Sequence, residues 1–146
     1  MEFRKATPEE TEYILEHCAQ SLHEGTRGLM VADRERALEI TKPVVEQRNG
    51  YYLVAVDGGE VRAWVLVGTA RDFFTEQSCG FIYDVYTLPE GRRQGLAKRL
   101  MQLAVEQLRE AGHPVVRLNV FAGNPARTLY EELGFTELSS VLSLKL

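Results

Sequence analysis

The sequence predicts a single-domain α/β fold, in which helices cover both faces of a mixed, mostly antiparallel sheet. The chain has 146 residues, of which 45% are hydrophobic and 26% charged, and this suits one globular core. Strand-like and helix-like stretches follow one another in the order β α α β β β α β α β. The middle of that order is a meander of neighbouring strands, so most strand pairs are expected to be antiparallel.

The N-terminal segment predicts a strand followed by a helix. Residues 2–6 are the strand. Thr7 then supplies an N-cap hydroxyl, Pro8 suits the first helical position, and Glu10 completes a capping box. Apolar residues recur at helical spacing as far as Leu22, so we expect one continuous helix there.

A second helix and a β-hairpin come next. Asp33 can cap the helix, and Pro43 within it is expected to kink or break it. Residues 51–56 and 61–69 are rich in the β-branched and aromatic side chains that favour strands. The turn between them, Asp57-Gly58-Gly59-Glu60, contains the glycines that a tight hairpin prefers.

Strands and helices alternate over the C-terminal half. A long helix with one apolar face ends near Gly112, and a short helix ends at Gly134. The predicted elements are a strand at 81–87, the long helix at 97–108, a strand at 115–120, the short helix at 125–133 and a final strand at 136–144.

Composition excludes several classes of function. The formal net charge of −4 gives the chain no general attraction for nucleic acid or for an anionic membrane. The N-terminus lacks the apolar stretch of a signal peptide, and no run of about 18 apolar residues occurs, so a cytoplasmic location is expected. Cys18 and Cys79 stand apart, without a CxxC motif or a nearby pair of histidines, so neither a disulfide framework nor a metal site is indicated.

The segment before the long helix carries the clearest chemical signal. Four of the eight residues from Arg92 to Arg99 are basic and none is acidic. A helix start has unpaired N–H groups and a partial positive charge, and small residues at Gly95 and Ala97 let an anion approach the backbone. Basic side chains oppose the helix dipole there, and a bound anion would remove that penalty. The same spacing also fits a solvated, charged helix face.

Two motifs together resemble the GNAT superfamily of N-acetyltransferases. Residues 92–97, Arg-Arg-Gln-Gly-Leu-Ala, match the cofactor loop [RQ]-x-x-G-x-[GA] of that family. Residues 119–135, which end in Leu-Tyr-Glu-Glu-Leu-Gly-Phe, look like its second and more specific signature. The resemblance is close over residues 81–135 and extends to the rest through the order of the elements. The motifs GxxxxGK[ST] and GxGxxG are absent, which disfavours a nucleoside triphosphatase or a Rossmann enzyme.

The resemblance implies a sheet that splays between the strands at 81–87 and 115–120 and holds acetyl-CoA in the opening. The backbone of residues 85–87 would face the thioester and the pantetheine arm, and the amides of residues 93–97 would take the pyrophosphate. The implied cofactor-binding residues are Val85, Tyr86, Thr87, Arg92, Arg93, Gln94, Gly95, Leu96, Ala97, Asn124 and Arg127. One departure concerns the spacing from Asn124 to Tyr130, which spans six positions here and seven in many relatives.

Acyl transfer to an amine needs a base and an acid. An unperturbed primary amine has a pKa of roughly 10, so a base or a chain of waters must take its proton. Asp84 is the one obvious base in the strand before the loop, and a water relay stays open. Asp84 and Tyr83 point to opposite faces of a regular strand, so only one of them reaches the cleft unless a bulge intervenes.

The resemblance also implies the acid and the oxyanion donor. The amide of Val85 would stabilise the oxyanion. The hydroxyl of Tyr130 would protonate the departing thiolate. The alternative for Tyr130 is a core residue that packs the short helix.

The expected activity is the transfer of an acetyl group from acetyl-CoA to a small-molecule or peptide amine in a ternary complex, without a metal. Residues 22–31 and 71–79 would shape the acceptor site, because loops decide specificity in such a fold. Three acidic residues in these segments could receive a cationic amine: Glu24, Asp72 and Glu76.

Other classes stay open. One is a non-catalytic acyl-CoA-binding or sensor domain, which would keep the anion site and lack a working base. Another is a structural module in which residues 92–99 are only a charged helix end. A homodimer also stays open, because the exposed edges of such sheets often pair.

Overall fold

A five-stranded sheet organises the chain. The computed structural model describes residues 1–146. In chain order the elements are β1 (Glu2–Lys5), α1 (Pro8–Glu16), α2 (Cys18–Gly25), α3 (Arg34–Gln47), β2 (Tyr51–Asp57), β3 (Glu60–Arg71), β4 (Ser78–Thr87), α4 (Leu96–Glu110), β5 (Val116–Leu118) and α5 (Ala126–Glu132). A 3₁₀ turn at Pro89–Gly91 leads from β4 towards α4.

The sheet is mixed and mostly antiparallel. Its strand order is β1-β2-β3-β4-β5, and the first three pairs are antiparallel. The pair formed by β4 and β5 is parallel, and the connection through α4 supplies the long crossover that a parallel pair requires. The predicted α/β architecture is confirmed.

Helices cover both faces because the central strands send alternate side chains into two apolar layers. On one face, α4 brings Leu100 and Met101 into a cluster with Val65 of β3. On the other face, α1 brings Ile14 into a cluster with Trp64 of β3. Since the neighbours Trp64 and Val65 enter different layers, a slip of one residue would exchange the two cores, and this fixes the register of the sheet.

Local signals begin the elements where the sequence predicts. The Thr7 side chain accepts the Glu10 N–H at 3.2 Å, and the Glu10 carboxylate accepts the Thr7 N–H at 2.8 Å, so a complete capping box begins α1. Asp33 caps α3 by accepting a backbone N–H at 2.8 Å. Gly58 and Gly59 have φ values of 59° and 79°, which the tight turn between β2 and β3 requires.

The prediction of one helix that continues to Leu22 is wrong, because the helix is interrupted at His17. His17 has φ −103° and ψ 3°, outside the helical range, and α2 begins at the next residue. The His17 N–H bonds to the Ile14 carbonyl at 2.9 Å, which tightens the last turn of α1. Pro43, in contrast, lies inside α3 without ending it.

The final strand predicted at residues 136–144 is also wrong for the single chain. The segment has no regular secondary structure and is exposed throughout. A strand needs a neighbour that satisfies its backbone N–H and C=O groups, and the sheet of this chain ends at β5 without adding the segment.

None of the helices has the length and apolar composition needed to cross a membrane. His, Cys, Asp and Glu side chains do not gather in groups of three or more that could hold a metal ion. Cys18 and Cys79 are both free and buried.

Candidate active site

The sheet opens between β4 and β5. Three residue pairs join these strands, and the last of them is Ile82 with Leu118. β4 continues to Thr87, so its residues beyond Ile82 have no strand beside them on that side. Val85, Tyr86 and Thr87, whose backbone is predicted to face the cofactor, lie on this unpaired stretch.

A β-bulge lies where the opening begins. The ladder between β3 and β4 passes from Ile82 directly to Asp84, so Tyr83 has no partner on β3. The extra residue turns Tyr83 and Asp84 towards the same layer. Tyr83 packs against the cluster on the α1 face, and Asp84 is bonded to Trp64 of that cluster. The bulge is thus the exception for which the sequence analysis allowed, and the two side chains do not alternate across the sheet.

The start of α4 presents a set of free N–H groups. Gly95 is the N-cap residue, and no side chain caps the helix. The first N–H of this helix to find a partner is that of Arg99, which bonds to the Gly95 carbonyl at 3.2 Å. The N–H groups of residues 93–98 have no acceptor in the chain. Unpaired N–H groups at the positive end of a helix dipole form an anion site.

Two residues in the left-handed conformation shape this loop. Arg93 has φ 65° and Gly95 has φ 70°. These conformations turn the chain sharply before the first turn of α4, where the free N–H groups lie. A Cβ placed on Gly95 would meet no atom within 4 Å, so the space beside the loop is open.

The basic side chains around the loop differ in their partners. Arg92 donates to a backbone carbonyl of β4 at 3.1 Å and pairs with Glu24 at 3.1 Å, so its charge is already partnered. Lys98 lies 3.8 Å from Glu132. No carboxylate lies within ion-pair distance of Arg93, which is exposed. Arg99 is also exposed and also lacks an acidic partner, but its guanidinium lies over the Phe3 ring, 5.0 Å from the centroid. Arg93 makes neither kind of contact and is therefore the cation most available to a phosphate.

Three other loop residues predicted to bind the cofactor support the shape of the loop. The Gln94 side chain donates to the Glu90 carbonyl at 3.4 Å. Leu96 is buried and packs so closely on Gly91 that a Cβ there would lie 3.1 Å from the Leu96 side chain. Ala97 is half-buried in the first turn of α4. What these residues offer an anion is their backbone.

Asp84 is held at the bulge by two side-chain donors. The Ser21 hydroxyl of α2 lies 2.7 Å from each carboxylate oxygen, and the Trp64 Nε1–H donates at 3.0 Å. Desolvation raises the pKa of Asp84 above its usual 3.8, while the hydrogen bonds from Ser21 and Trp64 oppose the shift. A carboxyl group with a raised pKa is a stronger base at neutral pH.

Tyr130 lies on α5 and is 7% exposed. Its ring packs edge-on against Phe135, with 6.1 Å between the ring centroids. Burial raises the pKa of Tyr130 to about 12, and the negative charge of Asp84 adds to the shift. Tyr130 therefore keeps its proton at neutral pH.

Tyr86 carries an unsatisfied polar atom beside the opening. Its ring lies 5.0 Å from that of Trp64, and its hydroxyl is the buried side-chain oxygen of the chain that lacks a hydrogen-bond partner. Burial raises the pKa of Tyr86 to about 12, with nearby Glu24 adding to the shift and Arg92 opposing it. A buried hydroxyl without a partner costs about 1–3 kcal/mol, so this atom suits a site that a ligand completes.

Asn124 and Arg127 both have partners within the chain. Asn124 accepts the Ala126 N–H at 3.0 Å and donates to the Gly25 carbonyl at 3.3 Å, which joins the start of α5 to the end of α2. Arg127 pairs with Glu131 at 3.1 Å. Their contact with a cofactor stays a prediction.

The acidic residues considered for the acceptor amine are likewise engaged. Each lies against an arginine: Glu24 with Arg92 at 3.1 Å, Glu76 with Arg71 at 3.9 Å, and Asp72 with Arg117. Asp72 is buried and anchors its turn, so none of the three is a free carboxylate.

α2 supplies contacts that the sequence analysis missed. Its last residues reach three parts of the site: Ser21 bonds to Asp84, Glu24 to Arg92, and the Gly25 carbonyl to Asn124. The available signal was the position of Ser21, three residues after Cys18 on the buried helical face, where an apolar residue is the norm. A buried serine there implies a polar partner.

Comparison with known proteins identifies the family. The sequence profile of the acetyltransferase (GNAT) family matches residues 11–135, which include both motifs. A search of the curated proteins finds no sequence that matches the chain. Among solved structures, a Pyrococcus furiosus protein proposed to be an acetyl transferase is 22% identical over 99% of this chain and 100% of that chain, with a TM-score of 0.83.

Two aminoglycoside acetyltransferases also share the fold. The 6′-N-acetyltransferase from Acinetobacter haemolyticus is 17% identical over 100% of this chain and 98% of that chain, with a TM-score of 0.71. An aminoglycoside N-acetyltransferase in complex with CoA is 16% identical over 99% of this chain and 93% of that chain, also with a TM-score of 0.71. The family profile covers most of the sequence, and the splayed sheet and the helix start agree with it. The chain therefore belongs to the acetyltransferase (GNAT) family and is an enzyme of the N-acetyltransferase type.

Proposed function

We propose that the protein transfers an acetyl group from acetyl-CoA to a primary amine of a small molecule or peptide. One observation carries the proposal: a single 3₁₀ turn joins the unpaired stretch of β4 that holds Asp84 to the free N–H groups of residues 93–98. Family membership gives the reaction class, and a structural neighbour in complex with CoA supports the choice of acyl donor.

The residues present fit a CoA phosphate. The N–H groups of residues 93–98 would donate to it, and the exposed charge of Arg93 would add attraction. The unpaired hydroxyl of Tyr86 offers a further donor beside the loop. Acetyl-CoA, when bound, supplies a thioester whose acyl carbon an amine can attack.

Two side chains are assigned the proton transfers of the reaction. Asp84, with its raised pKa, takes the proton of the amine directly or through a water. Tyr130, with a pKa of about 12, gives its proton to the leaving thiolate. Val85 lies on the unpaired stretch of β4, and its N–H is the candidate donor to the acyl oxygen as negative charge develops there.

The acceptor is proposed to be an amine with an apolar portion. Both segments expected to shape its site expose large apolar side chains: Leu29 at 77%, Val31 at 84% and Phe73 at 88%. These segments offer no free carboxylate that would bind a polycationic amine, since Glu24 and Glu76 are each paired with an arginine. Because two aminoglycoside acetyltransferases share the fold, small-molecule amines also belong among the acceptors to be tested.

The direct test is a panel of amines, peptides and antibiotics incubated with the protein and acetyl-CoA. We expect mass spectrometry to find an acceptor whose mass has grown by one acetyl group. Binding of CoA without any acetylated product would overturn the proposed transfer and would favour the acyl-CoA sensor instead.

A Gly95→Val protein should bind CoA at least about tenfold more weakly, a loss of about 1.4 kcal/mol. Valine is strained at φ 70° and fills the open space beside the free N–H groups. Calorimetric titration with CoA measures the effect. Gly112→Val is the matched control, because Gly112 has φ 90° and open space at the other end of α4. Equal CoA affinity in the two folded variants would contradict the loop assignment.

CoA affinity should fall as ionic strength rises, because charge attracts the phosphates to a partly exposed site. Arg93→Gln should flatten this dependence, since Arg93 is an exposed cation of the loop without an acidic partner. Arg109→Gln, at the far end of α4, is the control and should keep the wild-type dependence. Calorimetric titrations with CoA at several salt concentrations measure this dependence. A CoA affinity that stays constant as salt rises would show that charge is not the main source of attraction.

A further inference from the structure

A cleft lies next to the β-bulge, on the sheet face that α1 and α3 cover. Its volume is about 670 Å³, which suits a small molecule. The residues that line it come from the end of α3, from the β3–β4 hairpin and from β4, and they include Arg48, Thr69, Arg71, Glu76, Phe81 and Tyr83. Tyr83 is the residue that the bulge leaves without a partner on β3, and Asp84 follows it. The cleft therefore ends beside the candidate base.

Two aromatic rings form one wall of this cleft. The rings of Phe81 and Tyr83 have centroids 4.6 Å apart. The Tyr83 hydroxyl donates to the Thr69 carbonyl at 2.5 Å, which holds the ring in place. A Cβ on Gly68 would lie 3.1 Å from the Tyr83 ring, so the glycine leaves the room that the ring needs. The wall is thus a fixed apolar surface, on which the apolar portion of an acceptor can pack.

Arg48 is anchored at the edge of this wall by its backbone. It is the C-cap residue of α3, and its carbonyl accepts the Thr69 N–H at 2.9 Å and the Thr69 hydroxyl at 3.1 Å. Its guanidinium lies over the Tyr83 ring, 5.7 Å from the centroid, where the ring attracts a cation. The side chain is exposed, and no carboxylate lies within ion-pair distance of it. Its N–H donors are therefore free for a ligand.

The charges that line the cleft favour an anion. Arg48 and Arg71 face a single carboxylate, that of Glu76, which lies 3.9 Å from Arg71. The chain as a whole has a net charge of −4, so this positive excess is local. A guanidinium is planar and binds a carboxylate through two parallel hydrogen bonds. An apolar wall and a carboxylate-binding group thus lie side by side.

We infer that this cleft binds the acceptor and that Arg48 recognises a carboxylate on it. The inference rests on the proposed acetyl transfer and narrows its substrate to an amine that carries both an apolar group and a carboxylate, as an apolar amino acid or a short peptide does. With the amine at Asp84, the apolar group lies on the Phe81 and Tyr83 rings and the carboxylate reaches Arg48. Arg48 is then a residue that determines specificity.

Acceptors that differ only in the carboxylate test this recognition. Amino acids and dipeptides with large apolar side chains are each compared with the corresponding amide, in steady-state assays with acetyl-CoA. We expect kcat/KM to be at least about tenfold higher for the acid than for the amide. In an Arg48→Gln protein this preference should disappear through a higher KM for the acid, with the KM for acetyl-CoA unchanged.

Lys42→Gln is the matched control, because it removes the same charge from an exposed position of the same helix. It should keep the preference for the acid. A cation also suits the C-terminus of a helix, so Arg48→Gln should lower stability slightly. Circular dichroism should show an intact fold in both variants, since both side chains are exposed.

A ligand without an amine separates the site from the reaction. Phenylpropionate has an aromatic ring and a carboxylate, and phenylpropanol has the ring without the charge. In NMR titrations without acetyl-CoA, we expect phenylpropionate to shift the amide signals of Arg48, Thr69 and Tyr83 and to bind more tightly than phenylpropanol. Arg48→Gln should weaken the binding of phenylpropionate at least about tenfold, and Lys42→Gln should not.

The two experiments fail in different ways. Phenylpropionate that shifts no signal of the cleft, or that binds equally well to the Arg48→Gln protein, would overturn the inference. So would an enzyme that acetylates amides as well as acids, although the proposed transfer would then stand. If phenylpropionate bound at Arg48 and no amine were acetylated, the carboxylate site would stand and the proposed transfer would not.

Discussion

A Tyr130→Phe protein is expected to lose about 10²- to 10⁴-fold in kcat with little change in the KM for acetyl-CoA. The substitution keeps the ring that packs against Phe135 and removes the proton that we assign to the leaving thiolate. With a pKa of about 12, the hydroxyl is protonated across the working pH range, so the loss should be nearly independent of pH. Steady-state kinetics with an identified acceptor measures it.

Tyr51→Phe is the matched control for this prediction. It removes a tyrosine hydroxyl that bonds to Gln107 at 2.7 Å, so it should lower stability slightly and leave kcat unchanged. If Tyr130→Phe turned over at the natural rate, with chemistry shown to be rate-limiting, water or another group would protonate the thiolate. Tyr130 would then be a packing residue of α5.

An Asp84→Asn protein is expected to lose a similar 10²- to 10⁴-fold in kcat, because asparagine accepts no proton. The pKa of Asp84 is raised, so the activity of the natural enzyme should increase as pH passes that raised value. The variant should not show this increase. Comparing acceptors whose amines differ in pKa separates this increase in activity from the ionisation of the amine itself.

For Asp84→Asn, we expect stability to change in the opposite direction to activity. A carboxyl whose folded pKa exceeds its unfolded pKa destabilises the protein once pH passes the unfolded value, and the penalty is complete above the folded value. Asp84→Asn removes that penalty, so its melting temperature at neutral pH should be at least that of the natural protein. Asp72→Asn is the control, since the pKa of Asp72 is lowered and its loss should reduce stability without changing the pH profile. A fully active Asp84→Asn enzyme would leave water as the base.

The sequence predicted the features that depend on short-range chemistry. The capping box of Thr7 and Glu10 and the glycine turn at 58–59 are encoded within four residues, and both form. The start of α4 was found because basic residues around Gly95 contradict the helix dipole unless an anion binds. These signals need no knowledge of distant partners.

Features that depend on distant partners could not be predicted in the same way. The bulge that skips Tyr83 is set by the pairing of β3 with β4, and nothing in residues 81–87 alone locates it. The bond from Ser21 to Asp84 joins residues 63 positions apart. The prediction of a final strand failed for the same reason. Residues 136–144 have strand composition, but pairing with a distant strand is not encoded within the segment, and the sheet ends at β5 without it.

The last turns of α2 have a consequence for how this sequence can change over time. Within five residues, Ser21, Glu24 and Gly25 contact β4, the loop before α4 and the start of α5. A substitution at any of them would alter a contact with a residue far away in the chain. This short and partly exposed helix is therefore less free to change its sequence than surface helices usually are. Its evolution is tied to that of the site, and its length and sequence are constrained by three distant positions together.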